Sequence, residues 1–143
     1  MPASRSNPTV LVVTPEVTYL PEGMGNMSNH LTAKAGGLAD VSAALISALF
    51  DQGVDVHVAL PDYREIFAAH TAPVLKSEFR RIRDKMPDER IHLAEDRAFF
   101  YTTTVYSHYG SDNIKIALAF QREIINNIMP RVKPDLIHCN DWM

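Results

Sequence analysis

The sequence predicts an α/β fold, a mainly parallel sheet flanked by helices. Three observations predict it. Val10-Leu11-Val12-Val13 is apolar without alternation, which suits a strand buried on both faces. Leu38, Val41, Ala44, Leu45, Ala48 and Leu49 then recur at helical spacing, so a helix is expected from about Gly37 to Gln52, with Gly53 as its stop. Val54 to Leu60 follows almost at once as a second strand, and strand, helix and strand together make a right-handed βαβ unit.

Length and composition limit what such a chain does. Its 143 residues, 46% hydrophobic and 22% charged, suit one soluble domain with a real core. A net charge of -3 and the lack of a basic run give no reason to expect nucleic acid. The lone Cys139 can form no internal disulfide, so the cytoplasm is the expected compartment. Apolar runs are only strand-length and no signal peptide is visible, so no membrane partner is expected.

Taken in order, residues 1–8 are a polar lead-in, and Glu16 sits just past the carboxyl end of the first strand, where open α/β sheets bind ligands. Thr18 to Ala33 has no helical or strand period, and a connection this long is expected to be functional or mobile. The lone His57 reads as a sheet residue. Pro61-Asp62-Tyr63-Arg64 is either a turn or a functional part of the ligand edge. Val74 to Ile82, Arg90 to Ala94 and Ala98 to Tyr106 each read as a short strand, a meander decorating the main sheet, with Arg80 to Arg90 as solvated surface. Ile114, Leu118, Ile124, Ile125 and Ile128 predict a helix from about Asp112 to Met129, with Asp112 or Ser111 as N-cap and Pro130 and Pro134 ending it. Asp135 to Trp142 reads as a strand running into polar residues. His138, Cys139 and Asp141 match no zinc spacing, so no metal is expected.

The stretch with chemical promise is Lys34-Ala35-Gly36-Gly37-Leu38-Ala39-Asp40-Val41, which opens the helix. Adjacent glycines let backbone approach a ligand, and helix N–H groups with the dipole's positive end point the same way. Lys34 adds a mobile charge. The stretch is therefore either a seat for a phosphate or diphosphate or an ordinary glycine-rich connection with a solvated lysine.

Three motifs in one order resemble one family. Val-Thr-Pro-Glu-Val (13–17), Lys-Ala-Gly-Gly-Leu-Ala-Asp-Val (34–41) and Asp-Leu-Ile-His-Cys-Asn-Asp-Trp (135–142) are similar to motifs of the N-terminal domain of bacterial glycogen synthases and plant starch synthases. Leu60-Pro61-Asp62-Tyr63-Arg64 adds a fourth, while residues 65–108 match only loosely. The resemblance implies a retaining glucosyltransferase of GT-B type, with two Rossmann-like domains facing across a cleft. Such an enzyme moves glucose from ADP-glucose or UDP-glucose to an α-1,4-glucan and needs neither metal nor cofactor. By matched motif, Lys34, Gly36, Gly37 and Glu16 are donor-binding candidates. Asp40 and Asp141, on the sugar-side wall, are the catalytic candidates.

Some features depart from the family's pattern. Ala35 and Ala39 replace a Thr or Val and a Gly, small changes that keep the turn, and the long loop implies an altered acceptor side. Residues 1–143 are expected to be a partial N-terminal domain, roughly the first third of a family member, without the C-terminal nucleotide-binding domain. Catalysis by the chain alone is not expected, and the uncovered last strand is expected to promote self-association. The competing readings are a non-catalytic small α/β module that binds a phosphate ligand or a partner, and a related retaining glycosyltransferase using another sugar nucleotide.

Overall fold

The computed structural model describes residues 7–25, 28–70 and 90–141. Its centre is a four-stranded sheet in the order β3-β2-β1-β4, made of β1 (Thr9–Val13), β2 (Asp55–Pro61), β3 (Ile91–Ala94) and β4 (Leu136–Cys139). Every pairing is parallel. The unalternating apolar run of β1 lies between β2 and β4 with Val10 to Val13 buried, the burial expected of an inner parallel strand.

Helix α1 (Gly37–Asp51) joins β1 to β2 and turns Ala39, Ser42, Ala43 and Ile46 inward at helical spacing. It ends where the sequence predicts. Gly53 adopts φ 75°, its N–H bonds the Phe50 carbonyl at 3.0 Å, and the Val54 N–H bonds that of Leu49 at 3.1 Å. These paired bonds require a left-handed residue, which glycine supplies without a Cβ penalty.

Helix α2 (Arg64–Ala69) follows β2, and its leading Tyr63 is fully buried, donating its hydroxyl to the Pro15 carbonyl at 2.7 Å. The Pro61–Arg64 stretch therefore ties β2 to the residues that follow β1. The long 18–33 connection is pinned where it is described. Val17 and Ala33 exchange backbone hydrogen bonds of 2.9 and 3.0 Å, and Leu20, Met24 and Leu31 are buried in the core.

Several expectations need correction. Ala98 to Tyr106 is no strand. Asp96 accepts from the Ala98 N–H at 2.8 Å and starts a short helix, α3 (Arg97–Phe100), and bends follow. An N-cap and the burial of Phe99 edge-on against Tyr63 and Phe120, at 6.2 and 6.5 Å, outweigh the strand preference of that aromatic run. The described residues form no meander either: Ile91–Ala94 joins the main sheet in parallel beside β2. The Val74–Ile82 segment and most of the Arg80–Arg90 stretch lie outside the described residues; Arg90 itself pairs with Asp55.

Helix α4 (Gly110–Glu123) begins earlier than expected, with Tyr109 at its N-cap. Asp112 and Asn113 instead reach back to Ser107: the Asn113 side chain takes the Ser107 N–H at 2.8 Å and donates to its carbonyl at 3.0 Å. Nor does Pro130 end the helix. A π-helical turn (Ile124–Ile128), in which the Met129 N–H bonds the Ile124 carbonyl five residues back, carries the chain into α5 (Met129–Val132). A wider turn tolerates a residue that cannot donate. The stop comes at Lys133, at φ 51°, just before Pro134.

His57 on β2 is a sheet residue, as expected, with a specific neighbour. Its Nδ1 lies 2.9 Å from His92 Nε2 on β3, and Arg131 Nη2 lies 3.5 Å from the other nitrogen of His92. Burial first, then His57 and Arg131, pull the His92 imidazole down to about 4. An unfolded histidine takes up its proton near pH 6.5, whereas the folded one refuses it until about pH 4. Stability is therefore expected to fall by about 2 kcal/mol as pH drops through that window, allowing for partial solvent screening, and to lose no more from this group below it. Urea denaturation from pH 7 to 4 checks this, and His92→Gln should flatten the slope.

Candidate functional site

In the strand order β3-β2-β1-β4 the chain steps from β1 to β2 on one side and reaches β4 on the other. The carboxyl ends of β1 and β4 thus flank a topological switch point, where open α/β sheets form their ligand crevice. The candidate residues from the sequence gather along this edge. Glu16 follows β1, Lys34 to Asp40 open α1, and Asp141 follows β4.

Glu16 is the buried one. Only 1% of it is exposed, and its carboxylate accepts from the backbone N–H of Ala35 at 2.5 Å, Gly36 at 3.2 Å and Ala39 at 3.1 Å. It thus caps α1 from outside the helix, satisfying donors that a helix start leaves orphaned. The helix N–H groups expected to await a ligand are therefore already partly used. Those of Gly37 and Leu38 have no acceptor among the described residues.

Gly36 and Gly37 are not demanded by the fold. Gly36 has extended backbone at φ -160°, and a Cβ added at either position would meet nothing within 4 Å. Open space over two adjacent glycines at a helix start is room for a group from outside the chain.

Lys34 and Asp40 form an exposed ion pair, Nζ to Oδ2, at 2.7 Å. The other Asp40 oxygen accepts from the Thr18 hydroxyl at 2.6 Å. Lys34 first, then Thr18, hold the Asp40 carboxyl below its ordinary value. Exposed pairs of this kind are held weakly and exchange partners readily. Lys34 is thus able to leave Asp40 for another anionic partner, with Asp40 still bonded to Thr18.

Asp141 stands at φ 69° and accepts a short hydrogen bond from the Tyr106 hydroxyl. Burial first, then Asp141 and the charge of Glu16, raise the Tyr106 hydroxyl well above its ordinary value, so it stays a donor. Among the described residues, no hydrogen bond or ion pair links Asp141 directly to Lys34, Asp40 or Glu16. Trp142, the end of the sequence motif, lies outside the described residues.

Sequence reasoning singled out neither Thr18, the start of the long loop, nor Tyr106, the end of an expected strand, as a site residue. Thr18 meets Asp40 from 22 residues away and Tyr106 meets Asp141 from 35, so neither pairing leaves a local pattern.

Removing the Glu16 acceptor strands the amides it serves. Glu16→Ala is expected to cost about 2–4 kcal/mol in urea denaturation and to speed hydrogen exchange at Ala35, Gly36 and Ala39.

Comparison with known proteins places this edge in a family. The family model described as the starch synthase catalytic domain matches residues 9–143. The glycogen synthase of Moorella thermoacetica is 34% identical over 145 aligned residues, covering 93% of this chain and 27% of that protein. Those of Clostridium botulinum strain Alaska E43 and Alkaliphilus metalliredigens are 31% and 33% identical, over 79% and 77% of this chain and 26% of each relative. The chain thus spans about a quarter of the length of these curated relatives. No solved structure matches. With the family model matching from the start of β1 through the final motif, the chain belongs to the starch synthase catalytic domain family.

Proposed function

We propose that residues 1–143 form one wall of the donor cleft in a glycogen or starch synthase-like retaining glucosyltransferase. In a protein of the relatives' length they would be the N-terminal part of the first of two Rossmann-like domains, the second holding most of the nucleotide. The reaction breaks the bond between the glucose anomeric carbon and the diphosphate of ADP-glucose or UDP-glucose. It forms a bond from that carbon to a hydroxyl of an α-1,4-glucan with the anomeric configuration kept. The exposed free thiol of Cys139 suits a reducing, cytoplasmic setting.

The observation that carries this reading is the Gly36–Gly37 corner, with open space above it, the Gly37 and Leu38 N–H groups unspent among the described residues, and Lys34 alongside. Negative charge grows on the diphosphate as the glycosidic bond breaks, and N–H groups already fixed in place stabilise it at no reorganisation cost. Glu16 serves the donor indirectly, by holding that corner through Ala35, Gly36 and Ala39. Asp40 and Asp141 serve the sugar side, where oxocarbenium character develops and carboxylates stabilise positive charge.

NMR-monitored titration of the chain with ADP-glucose, UDP-glucose and ADP tests this. Shifts centred on residues 34–41 are expected, and Lys34→Ala should weaken them about tenfold, the worth of one charge-assisted hydrogen bond. No response at several millimolar would favour the non-catalytic module.

Self-association belongs to the same proposal. All of β4 is exposed, Leu136 at 55% and Ile137 at 38%, on a sheet edge that no described strand covers. Sedimentation is expected to show dimers or larger species at high concentration, and a clean monomer would count against it.

A further inference from the structure

The Glu16 and Asp141 ends of this edge are joined through two buried hydroxyls. Thr14 and Ser42 are both fully buried. Thr14 Oγ1 donates to the Glu16 carbonyl at 2.9 Å, and Ser42 Oγ lies 3.0 Å from that hydroxyl. Asn140 Nδ2 donates to Ser42 Oγ at 2.9 Å. A hydroxyl has one proton, and that of Thr14 is already given to Glu16, so Ser42 must donate to Thr14 and accept from Asn140. The chain runs one way: Asn140 to Ser42 to Thr14 to Glu16.

Its far end bears on Asp141. The Asn140 backbone N–H bonds the Val13 carbonyl at 2.9 Å, and its Oδ1 lies 2.8 Å from His138 Nε2, so Asn140 is fixed through main chain and side chain. Asp141, next along, stands at φ 69°, in the left-handed region that few residues other than glycine, asparagine and aspartate adopt.

Resting on the donor-cleft reading above, we propose that Ser42 is a positioning residue. Its hydroxyl locks the Asn140–Asp141 turn to the Thr14–Glu16 segment that carries the Gly36–Gly37 corner, so that Asp141 sits at a fixed place relative to the donor diphosphate. It touches no substrate. Without its Oγ, the bonds left to Asn140 among the described residues are its backbone bond and that to His138, and the turn carrying Asp141 is less firmly held.

The test is NMR on this chain with Ser42→Ala, first without ligand. The Asn140 side-chain amide signals should move toward their unbonded position, and the Asp141 amide and Tyr106 ring signals should shift with them. Core methyl signals and the thermal midpoint should stay near those of the parent chain. Ser42→Thr, which keeps a hydroxyl, should restore the parent spectrum. If its extra methyl is not tolerated, Thr14→Val takes its place: it removes the acceptor of the Ser42 proton and should shift the Asn140 side-chain amide in the same direction by a smaller amount. Unmoved Asn140 and Asp141 signals in Ser42→Ala overturn the proposal.

A second arm adds ADP-glucose. The parent chain should respond at residues 34–41 and at Asp141, whereas Ser42→Ala should keep the first response within about twofold in affinity and lose the second. An Asp141 response retained in Ser42→Ala overturns the proposal. A parent chain silent at residues 34–41 counts against the donor reading, and the ligand-free arm then decides on Ser42 alone.

Discussion

The Glu16 carboxylate is the interaction on which the rest of this edge depends. A buried carboxylate is costly unless its oxygens are served, and here backbone N–H groups of Ala35, Gly36 and Ala39 serve them. In return the start of α1 is fixed without any capping side chain of its own. One side chain therefore decides where the Gly36–Gly37 corner lies relative to the end of β1. Because it consumes some of the helix's free donors and leaves others, it also decides which amides face a ligand.

The sheet sets the remaining geometry. β4 pairs with β1 in register, Val13 opposite Cys139, so Thr14 and Asn140 come level where the two strands end. The charges then divide by exposure. Glu16, buried, is spent on structure, while Lys34 and Asp40, exposed, hold each other loosely and can be redistributed by a ligand. Asp141 lies between these cases, steered by Tyr106 and by the turn that Asn140 anchors. A fixed frame carrying a few exchangeable charges is what the proposed role beside a leaving diphosphate requires.

Much of this was legible in the sequence because it is local. The unalternating run of β1, the helical spacing of α1 and the stop at Gly53 each depend on neighbours within a few residues. The motifs carried the family, and chain order brought them to one edge. What stayed hidden depends on contacts distant in sequence. The Asp96 cap and the packing of Phe99 turned an apparent strand into α3, and a π-helical turn carried the chain past Pro130. The motif made Glu16 a donor-binding candidate that helps shape this edge, but did not show that backbone amides occupy its carboxylate. Nothing in Thr-Pro-Glu says that the side chain will turn inward, because its partners lie about twenty residues on.

The most direct measurement is a crystal structure of the chain with ADP bound. The diphosphate is expected against the Gly37 and Leu38 N–H groups, with Lys34 turned toward it and the Glu16 carboxylate still bonded to Ala35, Gly36 and Ala39. A diphosphate seated away from that corner, or a Glu16 carboxylate displaced from those amides to make room, would contradict the account.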